Sequence, residues 1–346
     1  MTAAGQVEAQ VRELPRPYLL FLGDNVDPNY AKTAFGLRDW AGELCIGEYA
    51  LPGATTTTGL PVLTPAEAAA KGARSLVIGV VVSGGMISPK WIPTLIEAIE
   101  AGLDIVSGMH ARLVDIPELK AAADRAGRAL IDIRTPPRNL PVGKGLKRGG
   151  KRLLTVGTDC ALGKKYTALA IARGLKARGL DVDFRATGQT GIMIAGRGIP
   201  MDAVVGDFIS GAAEILSPDA APDHWDVIEG QASLFHPSYA GVSLGLLHGS
   251  QPDVFVICHE AGRTTTMGHP TYPLPSIEEV MDLTIRQGSR TNKVIRCAGV
   301  SLNTAKLGPE EAEAVIAAEC DRLGMPVADP MRPGPAFEKL LDACIA

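Results

Sequence analysis

The sequence predicts an α/β protein of two domains, each built on a parallel sheet. Three observations carry that expectation. The chain has 346 residues, more than one core holds at roughly 100 to 200 residues per domain. Each half alternates short apolar runs rich in branched residues with helical patterns, which lays helices on the faces of a parallel sheet. Between the halves the rhythm breaks: residues 134–151 read RTPPRNLPVGKGLKRGGK, dense in Pro, Gly and Lys/Arg and without an acidic residue.

In the first half the strands are expected at YLLFLG, SLVIGVVVSGG, LDIVSG and ALIDIR, each stopped by glycine or a polar turn. Helical patterns lie between them at PAEAAAKGA, PKWIPTLIEAIEAG and IPELKAAADRAG. The opening residues, 1–16, lack the basic-then-apolar layout of a signal peptide and are expected to form a flexible tail. That places a first domain at 17–135 and a basic linker at 136–150, whose charge could also draw an anionic ligand. The second domain, 151–346, has expected strands RLLTV (152–156), VDFRA (182–186), WDVIEG (225–230), VFVICH (254–259) and VIRCAGVSL (294–302). After the first of these, KKYTALAIARGLKARG sets Leu169, Ala172 and Leu175 on one helix face and stops at Gly179.

Composition narrows the class. A net charge of -4 leaves no electrostatic footprint for nucleic acid or an anionic membrane. No apolar run approaches the roughly 20 residues that span a bilayer. Cys45, Cys160, Cys258, Cys297, Cys320 and Cys344 show no CxxC spacing, which argues against a zinc site and a disulfide framework. The expectation is a cytoplasmic enzyme acting on small molecules, with room for a homo-oligomer.

Residues 157–170, GTDCALGKKYTALA, follow the apolar run RLLTV. Strand, glycine-rich turn and lysine at a helix start is the geometry that binds phosphate, because the first helical N–H groups have no internal partners and the helix dipole favours negative charge. Binding is expected from Gly157, Thr158, Asp159, Cys160, Ala161, Leu162, Gly163, Lys164, Lys165, Tyr166 and Thr167. Five residues separate the two glycines where four are usual, and this longer loop resembles that of dethiobiotin synthetase. Position 165 normally carries Ser or Thr to hold magnesium; Lys165 has only donors and cannot. Thr167 sits about 200° further round the helix. Such a loop suits a phosphorylated ligand that is held rather than a phosphoryl group that is transferred. Coenzyme A fits, and no metal is expected; magnesium and ATP remain the alternative.

Ligands of open α/β sheets collect beyond the carboxyl ends of the strands. Those ends offer Arg185, Gln189 and Thr190, then Glu229, then His259, Glu260 and Arg263, then Asn303. Glu229 is the first choice for acid or base work, with His259 next and His236 a further candidate. His248, beside Gly249 at an expected helix end, reads as structural. Arg185, Arg197 and Arg263 could grip carboxylates through their guanidinium forks, and Asn303 could meet an adenine edge. Backbone N–H groups near Gly188 or Gly230 could hold an oxyanion. A relay through Cys160 or Cys258 ranks lower, because no partner stands beside either in sequence.

The stretches GTDCALGKKYTALA, FRATGQTGIMIAGRG, VVGDFISGAAE, WDVIEGQASLFHPSYAGVSLGLLHG and PDVFVICHEAGRT resemble the D-glutamate N-acetyltransferases, a family long catalogued only as a domain of unknown function. The likeness continues through YLLFLGD, AKTAFGL, AGLDIVSGMHARL and GKGLKRGGKRLLTVGTDC, nearly the whole chain. It implies a Rossmann-like domain followed by a P-loop NTPase-like domain. It also implies acetyl transfer from acetyl-CoA to the amine of D-glutamate, within D-amino acid catabolism. The site roles above come from the strand ends, with Gln189, Thr190, Arg197, Arg185, Glu260 and Arg263 expected around the amino acid. The main rival is an ATP- and magnesium-dependent kinase or ligase of the dethiobiotin synthetase type. A nicotinamide-dependent oxidoreductase is disfavoured, since FLGDNVDPNYAKTA lacks GxGxxG.

Overall fold

The computed structural model describes residue 11 and residues 13–346, so most of the expected tail lies outside the described residues. Two compact units emerge. One comprises Arg12–Pro136 together with Gln189–Ala203; the other is built from Pro137–Gly188 and Val204–Ala346.

The first unit carries strands β1 (Tyr18–Phe21), β2 (Cys45–Tyr49), β3 (Ser75–Ile78), β4 (Asp104–Ser107) and β5 (Leu130–Asp132). They form one parallel sheet in the order β2-β1-β3-β4-β5, a doubly wound arrangement. Helices α1 (Lys32–Ala41), α2 (Pro65–Ala70), α3 (Ile92–Glu100) and α4 (Pro117–Ala126) connect them. The four expected strands are present. β2, CIGEY, was not expected, because Glu48 interrupts its apolar pattern. Glu48 is nonetheless buried: its carboxylate accepts from Thr58 N at 2.6 Å and from the Thr57 and Thr58 hydroxyls. The run of threonines at 55–58 thereby acquires a structural purpose. At the amino end of α1, Ala34 N donates to Gly79 O at 2.9 Å, and a Cβ on Gly79 would lie 2.7 Å from that of Ala34. One of the first N–H groups of α1 is thereby engaged by the turn after β3, beside the missing glycine fingerprint.

The second unit is built on β6 (Lys151–Gly157), β7 (Val182–Arg185), β8 (Trp225–Ile228), β9 (Val254–Glu260), β12 (Arg296–Asn303) and β13 (Val327–Ala328). Their order is β13-β12-β9-β6-β8-β7, all parallel, with a small antiparallel hairpin of β10 (Thr265–Thr266) and β11 (His269–Pro273) following β9. Helix α5 (Lys164–Ala177) follows β6, and α6 (Gln189–Ala195) belongs to the first unit. Helices α7 (Ile209–Leu216), α8 (Ala240–Ser250), α9 (Ile277–Gly288), α10 (Pro309–Leu323) and α11 (Pro335–Ile345) complete the layers. The middles of β6 and β9 are buried on both faces because helices cover both sides of the sheet. Among the described residues no helix is long and apolar enough to cross a membrane.

Residues 133–150 contain no helix or strand. Within the second unit, the end of this segment is fastened by its own basic groups. Lys147 Nζ donates to Asp253 Oδ1 at 2.7 Å, and Arg148 donates to Ser217 O and Gly249 O at 2.8 and 2.9 Å. Arg152, fully buried at the start of β6, donates to Ser217 Oγ, Gly149 O and Pro218 O. These charges serve the amino ends of the strands, opposite the end where the phosphate-type loop lies.

Candidate functional site

β6 ends at Gly157, the chain turns through 158–163, and α5 begins at Lys164. Gly163 has φ 110°, a left-handed conformation that a side chain resists. Lys164 is buried, and its Nζ donates to Asp159 O at 2.6 Å; burial pulls its pKa below the usual lysine value. Lys165 Nζ lies 4.3 Å from the centre of the Tyr166 ring. Burial lowers its pKa as well, while the charge of Glu229 acts in the opposite direction. Thr167 turns into the sheet, where its hydroxyl meets Ser301 Oγ at 2.7 Å and Cys258 Sγ at 3.5 Å. It faces away from the loop and supplies no substitute metal ligand.

The loop carries a fully buried carboxylate. Asp159 Oδ2 accepts from Arg263 Nη2 and from Met267 N, both at 2.7 Å, while Oδ1 has no hydrogen bond. Arg263 Nη1 also donates to Cys160 O at 3.0 Å, so this arginine clamps the hairpin base onto the loop. The charges continue outward, from Arg263 to Glu260 at 3.7 Å and from Glu260 to Lys306 in an ion pair. Ala161, Glu260, Arg263, Met267 and Lys306 border a pocket of about 520 Å³.

β9 runs through Glu260, so His259 and Glu260 point to opposite faces of the sheet. His259 faces a different pocket, of about 340 Å³, shared with Glu278, Glu319 and Arg322. Its Nδ1 is 2.9 Å from Thr158 Oγ1, and burial holds the imidazole below the usual histidine range. On the other flank of the loop, Glu229 follows β8. Its Oε2 accepts from Thr187 N and Gly188 N, both at 3.0 Å, and burial raises its pKa. The amides expected to hold an oxyanion are therefore engaged: Gly188 N by Glu229, and Gly230 N by Thr155 Oγ1 at 2.9 Å.

His236 is brought to the loop from a distant segment, its Nε2 3.8 Å from Asp159 Oδ1. Its ring stacks on Tyr239 at 4.5 Å, and burial lowers its pKa. Ser238 N donates to Nδ1 at 3.1 Å, so the neutral ring carries its proton on Nε2. That tautomer leaves Nε2 without a lone pair for Cys160 or for the amine. Asp159, Cys160 and His236 also place possible ligand atoms within 4.8 Å of one another. A metal would need the His236 Nε2 lone pair, and the Ser238 hydrogen bond opposes that. The Cys160 thiol pKa is raised, chiefly by burial, contrary to the lowering a helix start would give it. Cys258 is buried and likewise raised.

The other residues named from the sequence each have partners of their own. Arg185 turns along the sheet, held by Asp226 at 2.5 Å and Asp183 at 3.0 Å. Gln189, Thr190 and Arg197 belong to the first unit. There Thr190 Oγ1 is 3.3 Å from Thr33 Oγ1, and the Gln189 amide, oriented to suit its neighbours, accepts from Arg134 Nη2 at 3.0 Å. Arg197 is exposed, its backbone bridged to Glu13. Asn303 Oδ1 accepts from Ala305 N at 3.0 Å, which engages the acceptor an adenine edge would need. His248 lies in the last turn of α8, 3.2 Å from Gln287 O. Lys306, which pairs with Glu260 at the same pocket, was not named from the sequence: a lone lysine three residues past a strand carries no signal of its own.

A doubly wound unit joined to a phosphate-loop unit with a doubled lysine defines the class. Residues 47–136 match the Rossmann-like domain DUF1611_N, and residues 141–341 match the P-loop domain DUF1611_C, both described as domains of unknown function. The chain belongs to the DUF1611 family. Two relatives carry the name D-glutamate N-acetyltransferase. The one from Tritonibacter scottomollicae is 49% identical over 95% of this chain and 98% of its own. The one from a Pseudoalteromonas species is 49% identical over 93% and 97%. A crystal structure of a DUF1611 family protein from Anabaena variabilis ATCC 29413 superposes with a TM-score of 0.78 at 33% identity, covering 95% of this chain and 98% of that one.

Proposed function

We propose that this protein is an N-acetyltransferase that moves the acetyl group of acetyl-CoA to the amine of D-glutamate. Kinship over nearly the whole chain with two relatives named for that activity carries the reading. The loop supports the donor: a pyrophosphate would rest on the first N–H groups of α5 and on Lys164, with no hydroxyl at 165 to call for magnesium.

Glu229 is the proposed base. Burial raises its pKa, so its carboxylate holds a proton more readily than an exposed one. It takes a proton from the ammonium, directly or through water, and the nitrogen lone pair attacks the thioester carbon. The C–S bond then breaks, and the departing coenzyme A thiolate takes up the second proton of the nitrogen and leaves as the thiol. Lys165, in electrostatic reach of Glu229, is the cation proposed for the tetrahedral oxyanion, since the Gly188 and Gly230 amides are engaged. The Cys160 relay recedes with its raised pKa and the His236 tautomer.

The test is thiol release from acetyl-CoA with a chelator present, across paired D- and L-amino acids. Release with D-glutamate and not L-glutamate is expected. Absence of release, with ATP hydrolysis on adding magnesium, would replace this reading with the kinase or ligase.

A further inference from the structure

The loop sits at the centre of its sheet, with β9 and β12 on one flank and β8 and β7 on the other. Coenzyme A carries its pyrophosphate in the middle, so a donor anchored there sends its two ends to different flanks. The acyl end belongs with Glu229, beyond β8. The nucleoside end, with its ribose 3′-phosphate, is left to the flank of β9 and β12, where the pocket of about 520 Å³ opens. That volume lies within the roughly 300–1,000 Å³ that encloses drug-sized ligands. A five-carbon amino acid would leave much of it unfilled.

Two cations border this pocket, and they differ. Arg263 is committed to Asp159 and to Cys160 O. Lys306 is paired only outward, with Glu260, and its side chain is 77% exposed. An ion pair that open to water contributes little, so the ammonium is free to exchange its carboxylate for a phosphate dianion. Glu260 then remains beside it as an acceptor for a ribose hydroxyl. An ammonium next to a carboxylate matches a ribose that carries a phosphate next to a hydroxyl.

We propose that this pocket takes the nucleoside end of the acyl donor, Lys306 reading the ribose 3′-phosphate and Glu260 accepting from the neighbouring hydroxyl. The proposal rests on the acetyl-CoA reading above. Calorimetric titration of the whole enzyme with coenzyme A and with dephospho-coenzyme A tests it. The intact protein should bind coenzyme A about tenfold tighter, as one charge-assisted contact to phosphate implies. In Lys306→Ala that preference should collapse through weaker coenzyme A binding, and Lys306→Arg should restore part of it. Unchanged dephospho-coenzyme A binding in Lys306→Ala would show that the variant is folded. An enzyme that turns over acetyl-CoA but binds the two thiols alike, or a Lys306→Ala variant that keeps the preference, overturns the subsite alone. Binding of neither thiol overturns the subsite and the donor reading together.

Discussion

Glu229 receives both loop amides on a single oxygen, Oε2. A carboxylate that only orients the turn at 187–188 would look the same, so chemistry has to separate the two roles. Its pKa is raised by burial, and a base works only when deprotonated. The acid limb of kcat against pH should therefore fall above the ordinary glutamate value of about 4.3. Glu229→Gln keeps the shape and an oxygen for the amides but removes the base. It should cost roughly 100-fold or more in kcat and abolish that limb, with little change in KM for acetyl-CoA. A variant that loses stability but keeps both its kcat and its acid limb would assign Glu229 to loop structure alone.

At the scale of elements, close approach of backbone governs the site. A Cβ on Gly230 would lie 1.6 Å from Thr155 O, so the turn after β8 fits against β6 only with glycine there. Gly230→Ala should therefore destabilise beyond the ordinary range of about 0.5–3 kcal/mol. Gly241→Ala in α8, where the new methyl meets nothing within 4 Å, should be neutral or slightly stabilising. Urea unfolding of the two variants checks the contrast, and equal midpoints would refute the packing argument. The same physics explains what the sequence revealed. β6, its glycine turn and α5 were legible because their signals are local: a branched apolar run, two glycines, then helical periodicity. β2 was not, because its one charge is satisfied by threonines that lie later in the chain. The partners of Arg185, Gly188 and Gly230, and the hydrogen bond that fixes His236, were equally invisible, since each depends on a group brought in by folding.

At the scale of the molecule, the residues proposed to hold the donor all belong to one unit, although Gln189–Ala203, a segment inside its sequence span, belongs to the other. Binding that favours one folded unit should protect that unit's backbone selectively, because local opening draws on local contacts. Free coenzyme A at 100 times its Kd stabilises whatever binds it by about 2.7 kcal/mol. That energy corresponds to about 100-fold slower exchange for amides that open only when the unit does. Amide hydrogen exchange on the whole enzyme should therefore slow at 157–168, around Gly230, and at 260–268 and 303–307. Strands β1 to β5 and helix α6 should exchange as before. Protection centred on the ends of β1 and β3 would instead place the donor in the first unit, where Ala34 N, one of the first amides of α1, is already engaged by Gly79 O.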